Sequence, residues 1–245
     1  MADRIFEIGR DGLESSDQRV RNLIDNMVNA QTPGYRKRDV VVRSFPLELE
    51  AAKDRVSAMT PHVEGTYYDQ TKGALIRTDN KLDMALGSDG FFVVLGPWGE
   101  GFTRDGRFRL NKEGRVVSVA GNFSLMGQGG PIAVTPGAEV EVSQTGEIKI
   151  DGIVIDRVRV VTVDNFQALE SVNGSVFKLA DQSSIVSEVE IPRVIQGYVE
   201  TSNVSIIDSM MEMIYLNRVY NMDTKIVQSR DQSLSRAMEL GRPTQ

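Results

Sequence analysis

Residues 139–160 read EVEVSQTGEIKIDGIVIDRVRV. Glu139-Val140-Glu141-Val142, Glu147-Ile148-Lys149-Ile150 and Arg157-Val158-Arg159-Val160 alternate polar and apolar side chains. That period of two belongs to a strand with one face buried. Thr145-Gly146 and Asp151-Gly152 punctuate the alternation, and an Asp-Gly pair between alternating runs is a strong hairpin signal because both residues accept positive φ. Asn111-Lys112-Glu113-Gly114 and Asn173-Gly174 supply further turns at similar spacing. The expectation is an antiparallel β domain over residues 73–189.

Outward from this block the period changes. From Asp3 to Ala30, apolar or small residues fall at Phe6, Gly9, Leu13, Ser16, Val20, Leu23, Met27 and Ala30, alternately three and four apart. This heptad-like seam predicts a helix of roughly 40 Å at 1.5 Å per residue. Thr32-Pro33-Gly34 stops it, since the residue before proline is pushed out of the α region. At the other end Ile206, Met210, Met213, Asn217, Tyr220, Thr224, Val227, Asp231, Leu234 and Met238 keep the same spacing. Asn217, Thr224 and Asp231 are polar interruptions of that seam, which cost stability and set register or partner. Helices of this kind take most of their stability from packing, either on their own globule or in a coiled-coil or inter-subunit contact.

The fold expected is therefore α+β and mainly β, an antiparallel central domain whose N- and C-terminal amphipathic helices pair as a coiled-coil-like stalk. Its divisions are 1–35 (N-terminal helix), 36–72 (irregular connector), 73–189 (β domain), 190–204 (extended return) and 205–245 (C-terminal helix).

Composition removes most chemistry. The 245 residues contain no Cys and one His, with 28 Lys+Arg against 34 Asp+Glu for a net charge of −6. Disulfides, thiolate nucleophiles and two-His metal motifs are excluded. An acidic chain lacks the basic face that displaces counterions from nucleic acid. His62, after Thr60-Pro61, reads as an exposed loop residue. The first 16 residues contain no apolar h-region, which predicts no Sec-type signal peptide, and no run approaches a membrane span.

The small motifs have plain structural explanations. Arg36-Lys37-Arg38 with Arg43 reads as a solvated basic loop. Gly127-Gln128-Gly129-Gly130 lacks the Lys-Ser/Thr of a P-loop. Asp79-Asn80-Lys81-Leu82-Asp83 resembles the start of a calcium loop but has Lys81 at a ligand position. No carboxylate pair has a supporting motif. The chain calls for no cofactor and no metal.

One stretch carries more. Asp25-Asn26-Met27-Val28-Asn29-Ala30-Gln31-Thr32-Pro33-Gly34-Tyr35-Arg36 resembles the N-terminal signature of the bacterial flagellar rod and hook proteins, departing from it at Asp25, Met27, Val28 and Gln31. Gly73-Ala74-Leu75, Asp89-Gly90-Phe91-Phe92 and Thr103-Arg104-Asp105-Gly106-Arg107-Phe108 are similar to the family's central β segment. Gln196-Gly197-Tyr198-Val199-Glu200-Thr201-Ser202-Asn203-Val204, followed by Met213, Arg218, Tyr220 and Lys225, is similar to its C-terminal block, with Asn217 and Asn221 as departures.

The resemblance implies a structural subunit stacked helically into the hollow rod that passes torque from motor to hook. Its partners would be other copies of itself, neighbouring rod proteins and the flagellar type III export apparatus, which uses an uncleaved N-terminal region. Seam and resemblance together place an assembly interface on Leu13, Val20, Leu23, Asn26, Met27, Asn29, Thr32, Pro33, Gly34 and Tyr35. The C-terminal part of that interface is Asn203, Val204, Ile206, Met210, Met213, Asn217, Arg218, Tyr220, Thr224, Val227, Asp231 and Leu234. From the residues alone, a β-rich binding module dimerised by its helices remains an alternative.

Overall fold

The hairpin chemistry of residues 139–160 produces three antiparallel strands, Val140–Val142, Glu147–Ile150 and Ile153–Arg157, in the computed structural model of the chain. The structure describes residues 2–47, 58–135, 137–180 and 185–240, with 2–9, 11, 42–47, 58–64, 226, 227, 230, 231 and 233–240 described as backbone only. Asp151 and Gly152 turn the second hairpin at φ of 50° and 82°. Opposite charges face each other across the ladders: Glu141 opposes Lys149, and Glu147 opposes Arg157, whose guanidinium lies 3.1 Å away.

The main sheet of this β unit runs, in spatial order, Leu169–Ser171, Val176–Leu179, Gly99–Thr103, Phe91–Gly96, Ser124–Leu125, Val116–Ser118 and Phe108–Leu110. Val160–Val163 joins it beside Phe91–Gly96 and carries Val186–Glu188 in turn. Phe91-Phe92-Val93-Val94 is buried throughout, and the period of two sorts it between two cores. Phe92 and Val94 pack with Phe108, Leu125 and Ile148, whereas Phe91 and Val93 pack with Phe102, Val161 and Phe177. A strand buried on both faces loses the polar alternation of a half-buried one.

Two short ladders bring the return onto this unit. Val194–Gln196 pairs with Met84–Leu86, and Tyr198–Glu200 pairs with Leu75–Arg77. The return is thus extended because it is strand. The chain divides into two units, Val28–Lys37 with Tyr68–Val204, and Met1–Met27 with Arg38–Tyr67 and Ser205–Gln245.

The second of these holds helix α1 (Ala2–Val28), helix α2 (Ile206–Leu240) and a two-stranded sheet of Arg38–Leu47 with Ala58–Tyr68. That sheet is a departure from the irregular connector expected over 36–72. Val40-Val41-Val42 supplies β-branched propensity, and Pro46 and Pro61 are tolerated because each strand of a two-stranded ladder is an edge. His62 accordingly lies in a strand and not in a loop. No helix among the described residues is long and apolar enough to cross a membrane.

Candidate functional site

Three segments distant in sequence meet inside the β unit at one carboxylate. The Thr32-Pro33-Gly34 turn begins with the Thr32 N–H donating to the Asn29 carbonyl at 3.0 Å, and Gly34 adopts φ of 70°. The Gly34 N–H then donates to the Glu200 carbonyl at 2.9 Å, seating the turn on the return strand. The next residue but one, Arg36, places Nη2 2.8 Å from Glu200 Oε1, while Arg104 Nη1 lies 3.1 Å from Oε2. Arg36, Arg104 and Glu200 are 2%, 4% and 1% exposed.

Further bonds surround the triad. The Gly73 N–H donates to Glu200 Oε1 at 3.1 Å, and Arg36 Nη1 donates to the Thr71 carbonyl. Arg104 donates to the carbonyls of Ser88 (3.0 Å) and Leu86 (3.4 Å) and lies 5.7 Å from the Phe91 ring centroid, within cation–π range. Burial pushes the Arg104 guanidinium below its ordinary pKa, with Glu200 opposing the shift. Beside it the buried Asp105 carboxylate accepts from Arg107 Nε (2.9 Å) and Nη2 (2.8 Å), which raises the Arg107 pKa.

Asn203 closes the same knot from the next turn of chain. Its Oδ1 accepts from the Lys37 N–H at 2.6 Å, and its Nδ2 donates to the carbonyls of Asp69 (3.1 Å) and Thr71 (3.0 Å). Asn203→Asp keeps the acceptor and removes the donors, leaving a carboxylate against two carbonyl oxygens. We expect a loss of about 1–3 kcal/mol in urea unfolding, the cost of an unsatisfied polar group.

In the helical unit an asparagine pair does comparable work. Asn26 Nδ2 donates to the Arg38 carbonyl at 2.7 Å, and its Oδ1 accepts from the Arg38 N–H at 2.9 Å. Asn22, one turn earlier on α1, donates to the same carbonyl at 2.7 Å. Both asparagines are buried on the helix face that also carries Leu23. Arg19 on α1 lies 3.7 Å from Glu212 on α2.

The structure distributes the sequence-derived interface residues unevenly. Leu23, Asn26, Gly34, Tyr35 and Val204 are buried; Leu13, Val20, Met27, Asn29, Thr32, Pro33, Asn203, Met213 and Thr224 are half-buried. Ile206, Met210, Asn217, Arg218 and Tyr220 are exposed, and the side chains of Val227, Asp231 and Leu234 lie outside the described residues. Thr224 Oγ1 donates back to the Tyr220 carbonyl of its own helix at 2.8 Å. The buried face of α2 carries Ser209 and Leu216, one position away from the seam read in the sequence. The opposite side exposes Ile207 (72%), Met210 (53%), Met211 (59%), Ile214 (55%), Tyr215 (59%) and Met222 (57%).

Arg36 corrects one expectation, because the basic loop is not solvated at that residue. A buried arginine needs a buried acid, and Glu200 is the signal that would have found it. Asn22 was findable as the residue four before Asn26. The remaining small motifs resolve into turns: Asp83 accepts from Thr78 Oγ1 (2.7 Å) and Asn80 Nδ2 (3.0 Å) where a calcium loop was considered. At Gly127 a Cβ would meet the Asp156 carboxylate at 2.1 Å, so a side chain there would displace that carboxylate from the Gly129 N–H it accepts from. Among the described residues no cluster of acids and histidine is placed to hold a metal.

Comparison with known proteins gives the class of the chain. Residues 85–150 match the profile described as the flagellar hook protein FlgE/F/G D1 domain, and residues 195–240 match the flagellar basal body rod FlgEFG protein C-terminal region. Arg104 falls in the first segment and Glu200 in the second. The flagellar basal-body rod protein FlgF of Rhizobium meliloti is 32% identical over 226 residues, 91% of each chain. That of Salmonella typhimurium is 30% identical over 231 residues, 88% of this chain and 89% of its own. FlgG of Buchnera aphidicola from Acyrthosiphon pisum is 24% identical across 95% of this chain and 98% of its own. The chain belongs to the flagellar basal-body rod protein family, whose members are structural proteins and not enzymes.

Proposed function

We propose that the chain is a FlgF-like rod subunit that assembles through its terminal helices with copies of itself and with neighbouring rod proteins, transmitting torque from motor to hook. The observation that carries this is the exposed aliphatic and methionine face of α2. Six large apolar residues at roughly half or more of full exposure on one helix are unusual for a protein that works alone. Methionine adapts to more than one packing partner, as a face that meets several neighbours requires. The exposed Asn217, Arg218 and Tyr220 extend this face of α2, and the half-buried Asn29, Thr32 and Pro33 of the β unit offer a separate contact to neighbouring subunits. Gly34, Tyr35 and Val204 are buried within the β unit and hold its turn and return strand in place. Asn217, Thr224 and Asp231 set register along α2 or line the channel. Passage to the rod is through the flagellar type III apparatus, unfolded, which suits a chain without cysteine.

A tagged full-length copy, expressed in place of the chromosomal one, is expected in purified basal bodies at the level of the rod, and its deletion is expected to abolish swimming. A discrete dimer by sedimentation, with motility intact after deletion, would instead support the binding-module alternative.

A further inference from the structure

We infer that Glu200 is the positioning residue of the subunit: its single carboxylate, shared by Arg36 and Arg104, fixes the register of the Thr32-Pro33-Gly34 turn on the return strand. It thereby fixes the two points of chain from which the helices depart, since α1 ends at Val28 and α2 begins at Ile206. The inference rests on the proposed reading of those helices as assembly elements.

Backbone contacts alone do not set this register. The turn meets the return through backbone, with the Gly34 N–H on the Glu200 carbonyl. Gly73 has backbone in place of a Cβ, since one there would stand 1.9 Å from the Thr201 carbonyl oxygen. Contacts between backbones repeat along a strand and specify little, whereas a carboxylate that takes one Nη from each of two guanidinium groups, each anchored in turn to a backbone carbonyl, is met at one position only. A slip of one residue sends Glu200 to the opposite face of its strand and leaves both arginines without it.

The charge balance argues in the same direction. Two guanidinium groups share one carboxylate, and the Nε atoms of Arg36 and Arg104 are buried without a hydrogen-bond partner. A buried ion triad is seldom more stable than well-packed apolar residues of similar volume, so stability does not explain it. Uniqueness does, because any other register buries two uncompensated cations.

The test compares full-length wild type with Glu200→Gln, with the charge-free triple Arg36→Met, Arg104→Met, Glu200→Leu, and with Glu200→Asp. Urea unfolding, hydrogen exchange at the Gly34 amide and incorporation into basal bodies are measured for each. Glu200→Gln is expected to lower the unfolding midpoint sharply. The triple is expected to recover it while its Gly34 amide exchanges at least tenfold faster and at least tenfold fewer copies enter basal bodies. A triple that matches wild type in exchange and incorporation would make the triad a replaceable filler and overturn the inference. Should the triple not fold, Glu200→Asp decides: it keeps the charge but withdraws it by one methylene, and wild-type Gly34 exchange in it would be equally fatal. Absence of wild-type copies from basal bodies would refute the assembly reading separately, leaving the exchange result to judge the positioning.

Discussion

Gly34→Ala is expected to destabilise the free subunit by about 2–5 kcal/mol. Gly34 has φ of 70°, and a Cβ there would stand 2.2 Å from the Asp105 nitrogen and 2.4 Å from the Arg104 carbonyl carbon. A left-handed conformation costs an L-residue about 1–2 kcal/mol, and forcing atoms into a filled interior costs about 1–3 kcal/mol more. Neither neighbour can yield. Arg104 is fixed by Glu200 and two carbonyls, and the Asp105 N–H donates to Thr103 Oγ1 at 3.0 Å. Moving the turn instead sacrifices the Gly34 N–H bond to Glu200. Against a typical domain stability of about 5–15 kcal/mol the loss is large. Urea unfolding followed by the fluorescence of Trp98 measures it. Gly65→Ala is the control, because a Cβ at Gly65 meets nothing within 4 Å. Equal midpoints for the two variants would contradict the close approach.

The contrast between these glycines shows where the sequence was legible. Thr-Pro-Gly announces a turn through local chemistry, and so do Asp151-Gly152 and the alternation on either side of it. What the turn lies against is not local. The Gly34 contact with Arg104 and Asp105 depends on strands paired across the chain, and nothing within ten residues of Gly34 encodes it. Arg36 was read as solvated for the same reason, since its acid comes from the C-terminal block. The sheet of 38–47 with 58–68 escaped notice differently. Three consecutive valines show no alternation, and its prolines read as breakers unless each strand is known to be an edge.

The face of α2 buried within the subunit lies one position from the seam for a reason specific to its composition. Apolar residues occur all around Ile206–Tyr220, so periodicity does not single out one face. The face buried within the subunit is marked by small Ser209 and by Leu216, while larger residues point outward. One serine and one leucine on the inward side, against methionines and isoleucines on the outward side, suit the proposed role of α2 in contacts with other chains.

That arrangement leads to an expected separation of stability from assembly. Met211→Lys with Ile214→Lys is expected to leave the free subunit within about 0.5 kcal/mol of wild type, as surface substitutions usually do. On the proposed assembly the rod would cover the same two positions, and burying such side chains is worth about 1.5–3 kcal/mol each. Losing a total of about 3 kcal/mol weakens subunit addition by about a hundredfold, since each 1.4 kcal/mol is tenfold. The double variant should be secreted and folded yet nearly absent from basal bodies, and its cells should not swim. Leu216→Ala provides the opposite pattern. Leu216 is fully buried, so its truncation costs about 2–5 kcal/mol in the free subunit. If the lysine pair lowered the unfolding midpoint as far as Leu216→Ala does, Met211 and Ile214 would be part of the subunit's own core. The outward face of α2 would then no longer support assembly. If instead stability holds and incorporation fails, that face is what one subunit offers the next.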